Sequence, residues 1–159
     1  MCGIIGIVSK TEVVEKLIKG LKQLEYRGYD SSGVVTTDSN SFCRRRSSGK
    51  LLNLKKQLKE KPISGTIGIG HTRWATHGKP TEKNAHPHLT DNVGLVHNGI
   101  IENYFELKES LTLRQVKFSS ETDTEVITKL VEIELTENGL SPEDAVKVTL
   151  KKLKGSFAL

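Results

Sequence analysis

An α+β fold, or a layered sandwich of sheets and helices, is what the order of elements predicts: strands and helices first, strands again, then a run of helices. Two observations carry that prediction. Apolar residues alternate at period two over 66–73 but recur at helical spacing over 13–24. No internal repeat, low-complexity tract or linker divides the 159 residues, a length that suits one domain and a sizeable core.

The first eight residues, MCGIIGIV, form an apolar strand. Chain ends fray unless a sheet ties them down, so a buried strand here holds the terminus inside the fold. Ser9 opens a helix, with Glu12 three residues on as the second half of a capping box. Val13, Val14, Leu17, Ile18, Leu21 and Leu24 continue it, and Gly28 stops it. Residues 33–37 and 42–46 pair as a hairpin across Asp38, Ser39, Asn40 and Ser41. A helix covers 50–60, with Leu51, Leu54 and Leu58 on one side. In the strand 66–73, Ile67, Ile69, His71 and Arg73 share a face. Val93–His97 is a strand that Asn98-Gly99 breaks. Helices follow over 102–111, 123–137 and 142–153, the last with Ser141 as N-cap and Pro142 at its first position. Residues 155–159, GSFAL, read as the opening of a strand that has been cut, so a fragment is expected.

Composition narrows the function. No apolar run reaches the roughly 20 residues of a membrane span, and no basic segment precedes the N-terminal apolar stretch as in a signal peptide. Cys2 and Cys43 build neither a disulfide framework nor a cysteine zinc site, which points to a reducing, cytoplasmic setting. All five histidines, 71, 77, 86, 88 and 97, lie in one stretch. No pair has the i, i+4 spacing of a zinc helix, so no metal is expected. The net charge of +5 permits an anionic partner. Arg44–Arg46 and the lysines of 50–61 lack aromatic stacking platforms, so they read as a solvated face and not a nucleic-acid surface. Neither a dinucleotide fingerprint nor a phosphate loop occurs.

Four segments carry candidate chemistry. Cys2 follows Met1 directly. Once Met1 is removed, its thiol and its own α-amine lie in one residue, and an amine titrating at about 7.7–8.0 can take the thiol proton. Position alone favours the other reading, a small buried residue at the start of a strand. In HTRWATHG, 71–78, Arg73 offers a rigid fork for a carboxylate and Trp74 a cover for a ligand; an Arg–Trp stack that fastens the loop is the alternative. In HNG, 97–99, the Asn98 amide and an unshielded Gly99 N–H suit an oxyanion hole, or an ordinary turn. In SETDTEV, 120–126, Thr122 and Glu125 fit a capping box. Asp123 then sits in a first helical turn, where a carboxylate is favoured anyway or binds an ammonium group.

Together with LEYRGYDSSG at 24–33, GHTRWATHGKPTEKNAHPH at 70–88, VHNGIIENY at 96–104 and SETDTEVI at 120–127, the opening MCGIIGI resembles the glutaminase domain of the glucosamine-6-phosphate synthase family. The resemblance implies a class II glutamine amidotransferase with the four-layer α-β-β-α sandwich of the N-terminal nucleophile hydrolases. It spans 1–159 as one glutaminase domain, truncated at its C-terminal end and without the sugar-phosphate isomerase domains. By the resemblance, Cys2 is the nucleophile and its α-amine the base. Asn98 and the N–H of Gly99 hold the oxyanion. Arg73 and Asp123 bind the α-carboxylate and α-ammonium of L-glutamine. Trp74, Thr76 and His77 line or close the pocket, and Arg27 supports the active end of the chain. Such a zwitterionic amide needs a cation, an anion, a nucleophile and two oxyanion donors, all of which these segments contain. A γ-glutamyl thioester then hydrolyses to glutamate and ammonia. If Met1 stays, the base is lost. The resemblance implies no cofactor, no nucleic acid and no membrane, fructose 6-phosphate as a partner only through the absent domains, and room for a homodimer. The glutaminase domain of another class II enzyme, such as amidophosphoribosyltransferase or asparagine synthetase, is the alternative within the class, RWATHG favouring the sugar enzyme. A non-catalytic basic binding module is the alternative outside it.

Overall fold

The computed structural model describes residues 2–38, 41–75 and 78–159. Its largest sheet joins β1 (Gly3–Val8), β2 (Ser31–Thr37), β3 (Phe42–Ser48) and β4 (Ile67–Arg73), antiparallel throughout, in the order β1-β4-β2-β3. Side-chain alternation along β4 decides what lies on each side. Gly68 and Gly70 face α1 (Val14–Leu24), close to Leu17 and Leu21. Ile69, His71 and Arg73 face the other way. α1 and α2 (Leu51–Glu60) cover the first face, where Val13, Leu17, Leu21, Val34, Leu51 and Leu54 are buried together.

The second face meets two short ribbons, β5 (His88–Leu89) with β6 (Gly94–Leu95), and β7 (Asn98–Ile101) with β8 (Gly155–Ala158). Beyond them lie α3 (Tyr104–Leu113), α4 (Asp123–Thr136) and α5 (Pro142–Lys152). Ile101, Leu111, Val126, Ile127, Leu130 and Leu153 form their core. The layers therefore run helix, sheet, sheet, helix. Four histidines lie between the two β layers. His71, His86, His88 and His97 are all buried, and hydrogen bonds link the last three to hydroxyls of Thr122 and Thr124 at the start of α4. Burial pushes the His71 imidazole down to about 4 and the His88 imidazole to about 3; it also lowers His86 strongly.

Three expectations need correction. The N-terminal strand is an edge strand, not a buried one, because only β4 flanks it; Val8 is 80% exposed. Ser9 and Glu12 form no capping box. The Ser9 N–H donates to Thr66 O and the Val13 N–H to Gly65 O, so 9–13 stays tied to 65–66 and the helix starts at Val14. The Glu12 carboxylate instead accepts from the Gly65 N–H at 2.9 Å. Asn98-Gly99 is not a turn: of the strand expected over 93–97 only Gly94–Leu95 forms, as β6, and Asn98 and Gly99 open the separate strand β7, because β8 supplies a partner. The predicted cut strand at the end of the chain is that partner. Ser141 does cap α5, accepting from the Asp144 N–H at 3.2 Å.

Candidate active site

Antiparallel register brings the start of β1 to the end of β4, because Gly3 lies opposite Thr72. Cys2 consequently stands beside Arg73 and Trp74. The Trp74 N–H donates to Cys2 Sγ at 3.1 Å. Burial pushes the Cys2 thiol above its ordinary pKa, and this backbone N–H works against the rise by favouring the thiolate. Two side chains hold the Cys2 carbonyl. Arg27 donates from Nε at 3.3 Å, and Asn98 from Nδ2 at 3.2 Å. Arg27 closes the single 3-10 turn Glu25–Arg27 that follows α1. Gly28 comes next, in extended backbone, and a Cβ there would lie 2.7 Å from the Arg73 carbonyl carbon and oxygen. That close approach, rather than a left-handed helix stop, is the reason for glycine at 28.

Gly99 sits at φ +117, a conformation that disfavours side chains, and a Cβ would come within 2.2 Å of Ser156 O. The backbone of β8 thus fits only a bare glycine beside Asn98. Cys2, Arg27, Trp74, Asn98 and Gly99 line an open hollow of about 560 Å³, closed on one side by Phe157 of β8. A narrow recess deeper in is lined by Cys2, Arg73, Gly99 and Asp123. A larger groove of about 610 Å³ between α1 and α2 is lined with aliphatic side chains, lysines and glutamates, and no cysteine is among its lining residues.

Arg73 is 3% exposed, its guanidinium donating to the carbonyls of Gly78 and Lys79 at 3.3 Å. Burial lowers its pKa, and the nearby Asp30 carboxylate opposes that. Asp123 lies at the first position of α4, whose N-cap is Thr122; the Thr122 hydroxyl accepts from the Glu125 N–H. The Glu125 carboxylate turns to Ser119 and Ser120, so the predicted capping box is half formed. Asp123 is buried, accepts from the Ile101 N–H at 3.1 Å, and lies 3.6 Å from His97 Nδ1. Trp74 is half exposed and packs edge-on against Tyr29, ring centroids 5.7 Å apart. Thr76 and His77, the remaining residues expected at the pocket, lie outside the described residues.

Two site residues escaped sequence reasoning. Asp30 fastens the loop after β4: its carboxylate accepts from the Ala75 N–H, and its own N–H donates to Arg73 O at 3.2 Å. Its place in the YRGYD segment was the only signal. For His71, alternation gives only the face it shares with Ile67, Ile69 and Arg73 and says nothing of its bond to Asn98.

Among solved structures, the chain is similar to the glutamine phosphoribosylpyrophosphate amidotransferase from B. subtilis complexed with ADP and GMP. The TM-score is 0.85 at 27% identity, over 99% of this chain and 34% of that one. It is equally similar, at 28% identity, to a structure described as the allosteric regulatory enzyme of purine biosynthesis. This is the N-terminal nucleophile hydrolase fold, as the layering indicates. Among curated proteins, the glutamine–fructose-6-phosphate aminotransferases (isomerizing) of Mesorhizobium japonicum and Bradyrhizobium diazoefficiens are 57% and 58% identical over all 159 residues. That of Brucella suis is 56% identical. The chain spans 26% of the length of each of these relatives. A family described as glutamine amidotransferase domain matches residues 71–159, more than half of the chain. The strand end bearing Arg73, the strand bearing Asn98 and Gly99, and the helix start bearing Asp123 all fall inside that match, and the chain belongs to the glutamine amidotransferase domain family.

Proposed function

We propose that this chain hydrolyses the side-chain amide of L-glutamine through Cys2. The observation that carries the reading is the convergence of Cys2, Arg73, Gly99 and Asp123 on one recess, with Asn98 bonded across to the Cys2 residue. Glutamine presents a carboxylate, an ammonium and a γ-amide. Arg73 pairs with the carboxylate, releasing its present bonds to the loop carbonyls, and Asp123 pairs with the ammonium. Trp74 covers the ligand, with Thr76 and His77 as further lining residues. Arg27 holds the nucleophile's carbonyl in place.

The chemistry begins after Met1 is removed. The α-amine of Cys2 takes the thiol proton, and Sγ attacks the γ-carbonyl carbon. Negative charge moves to the carbonyl oxygen, where the Asn98 amide and the Gly99 N–H stabilise it. The α-ammonium returns its proton to the leaving nitrogen. Ammonia departs, leaving a γ-glutamyl thioester. Water, deprotonated by the same amine, attacks the thioester; glutamate leaves and the thiol is restored.

In the complete protein the ammonia aminates fructose 6-phosphate to glucosamine 6-phosphate, in a cytoplasmic enzyme. The names and the identity of the curated relatives support that destination. A direct test treats the Met1-free chain with a diazoketone analogue of glutamine. The reading expects one adduct, located on Cys2 by peptide mass analysis, with glutamine protecting against it. An unmodified Cys2, together with no glutamate formed from glutamine, defeats the reading and leaves a binding module.

A further inference from the structure

We propose that His71 is a positioning residue for Asn98: its Nε2–H fixes the side-chain amide so that Nδ2 points towards Cys2. The catalytic part of this inference rests on the glutaminase reading above; the geometric part stands alone.

His71 Nε2 lies 2.9 Å from Asn98 Oδ1 and 3.0 Å from the His97 carbonyl oxygen. A carbonyl oxygen only accepts, so Nε2 carries the proton and is shared between the two. The other half of the amide agrees. Asn98 Nδ2 donates to the Cys2 carbonyl at 3.2 Å, which leaves Oδ1 as the atom facing the imidazole. Turning the amide over would set two N–H groups against each other on one side and two oxygens on the other. The network therefore determines the orientation.

The ring is committed to this task. His71 is fully buried and packs against the ring of His86, tilted by 42° with centroids 4.2 Å apart. Its Nδ1 has no hydrogen-bond partner among the described residues. Burial keeps the imidazole neutral near pH 7, so it has one proton, and the two acceptors at Nε2 claim it. The imidazole projects from β4, which is paired on both sides, opposite Ile4 of β1 and Gly33 of β2. Asn98, by contrast, sits on a strand of four residues. The bond thus transfers the rigidity of the central strand to the amide. A free Asn amide flips readily between two orientations, and only one of them offers Nδ2 to a developing oxyanion beside Cys2.

Two measurements test this. In the nitrogen-15-labelled chain, His71 is expected in the Nε2–H tautomer at pH 7, with the Asn98 side-chain amide protons shifted in His71→Leu and near their original positions in His71→Gln, whose amide can donate from a similar place. A proton on Nδ1, or Asn98 resonances indifferent to His71→Leu, overturns the positioning. In the Met1-free chain, His71→Leu is expected to lower kcat about tenfold to a hundredfold, short of removing the oxyanion donor outright, with KM within about twofold. His71→Gln should restore most of that loss. In an Asn98→Ala background the same His71→Leu change should cost less than about twofold, since the two residues act as one unit. Losses that multiply overturn the link to catalysis. Should His71→Leu fail to fold, the tautomer and the Gln variant still decide. If the unaltered Met1-free chain turns over no glutamine, the glutaminase reading fails by itself, while the resonances still settle the geometry.

Discussion

Cys2 is held at its carbonyl by two side chains and at its sulfur by one backbone N–H, whereas Cys43 lies exposed on β3 with no comparable surroundings. Cys2→Ala should therefore abolish glutamine hydrolysis and Cys43→Ser should leave most of it, in a glutamate-release assay on the Met1-free chain. A Cys2→Ala protein with ordinary turnover would remove the nucleophile from the mechanism. On the proposed reading Asn98 serves the reacting end, so Asn98→Ala is expected to lower kcat by about 10²–10³ with little change in KM; a large KM effect alone would reassign it to substrate binding. Asp123 serves the other end on the same reading. Asn at 123 can still accept from the Ile101 N–H, so Asp123→Asn isolates the charge, and glutamine binding should weaken by about 1.5–3 kcal/mol in calorimetry. Binding equal to that of the unaltered protein would make Asp123 a helix-terminal residue only. At this scale the sequence was most legible where a residue type has few uses, as with a cysteine behind the initiator methionine. Asp30 was not legible, because a carboxylate bonded to backbone N–H groups has no spacing signature.

Helix starts differ in how far local sequence determines them, and the difference is physical. Thr122 and Ser141 each accept a hydrogen bond from the N–H three residues on, a local arrangement that the expected cap requires. Ser9 precedes a segment whose N–H groups are taken by the carbonyls of Gly65 and Thr66, an arrangement that depends on residues more than 50 positions away. The same holds for β7, whose turn-like Asn-Gly pair becomes a strand only because β8 lies beside it. Thr122 carries the greater burden of the two caps, since its hydroxyl also contacts His88 Nε2 at 2.9 Å. Thr122→Ala should lower unfolding stability by about 0.5–2 kcal/mol, towards the upper end because the imidazole is left without that partner. Chemical denaturation would measure it, and a loss no larger than that of an exposed Thr→Ala change would contradict the assignment.

For the molecule as a whole, the histidine layer between the sheets sets an acid limit. His71 and His88 are held neutral down to about 4 and 3, and His86 is lowered as well, while an unfolded histidine protonates near its ordinary value of about 6.5. Below that value the unfolded chain binds protons that the native chain does not, so stability rises with pH across the window. It should be flat above about pH 7 and fall from about pH 6.5 to 4. Each such histidine contributes up to about 1.4 kcal/mol per pH unit, the free-energy equivalent of one bound proton. Thermal unfolding at a series of pH values checks this. A melting temperature constant from pH 7 to 4.5 would show that the layer titrates freely in the folded state. The layer was only half legible in advance: clustering of the histidines was visible and metal spacing was absent, but their shared burial follows from how two sheets stack.

The pairing of β7 with β8 also has a meaning in time. Cys2, the proposed nucleophile, is among the early residues to leave the ribosome, yet the backbone that flanks Gly99 belongs to Ser156 and Phe157. At ordinary synthesis rates of about 5–20 residues per second, those residues are added roughly 8–30 s after Cys2. A nascent chain thus carries the Cys2 thiol well before the strand of Gly99 has a neighbour, and on the proposed reading glutamine hydrolysis waits until β8 has docked.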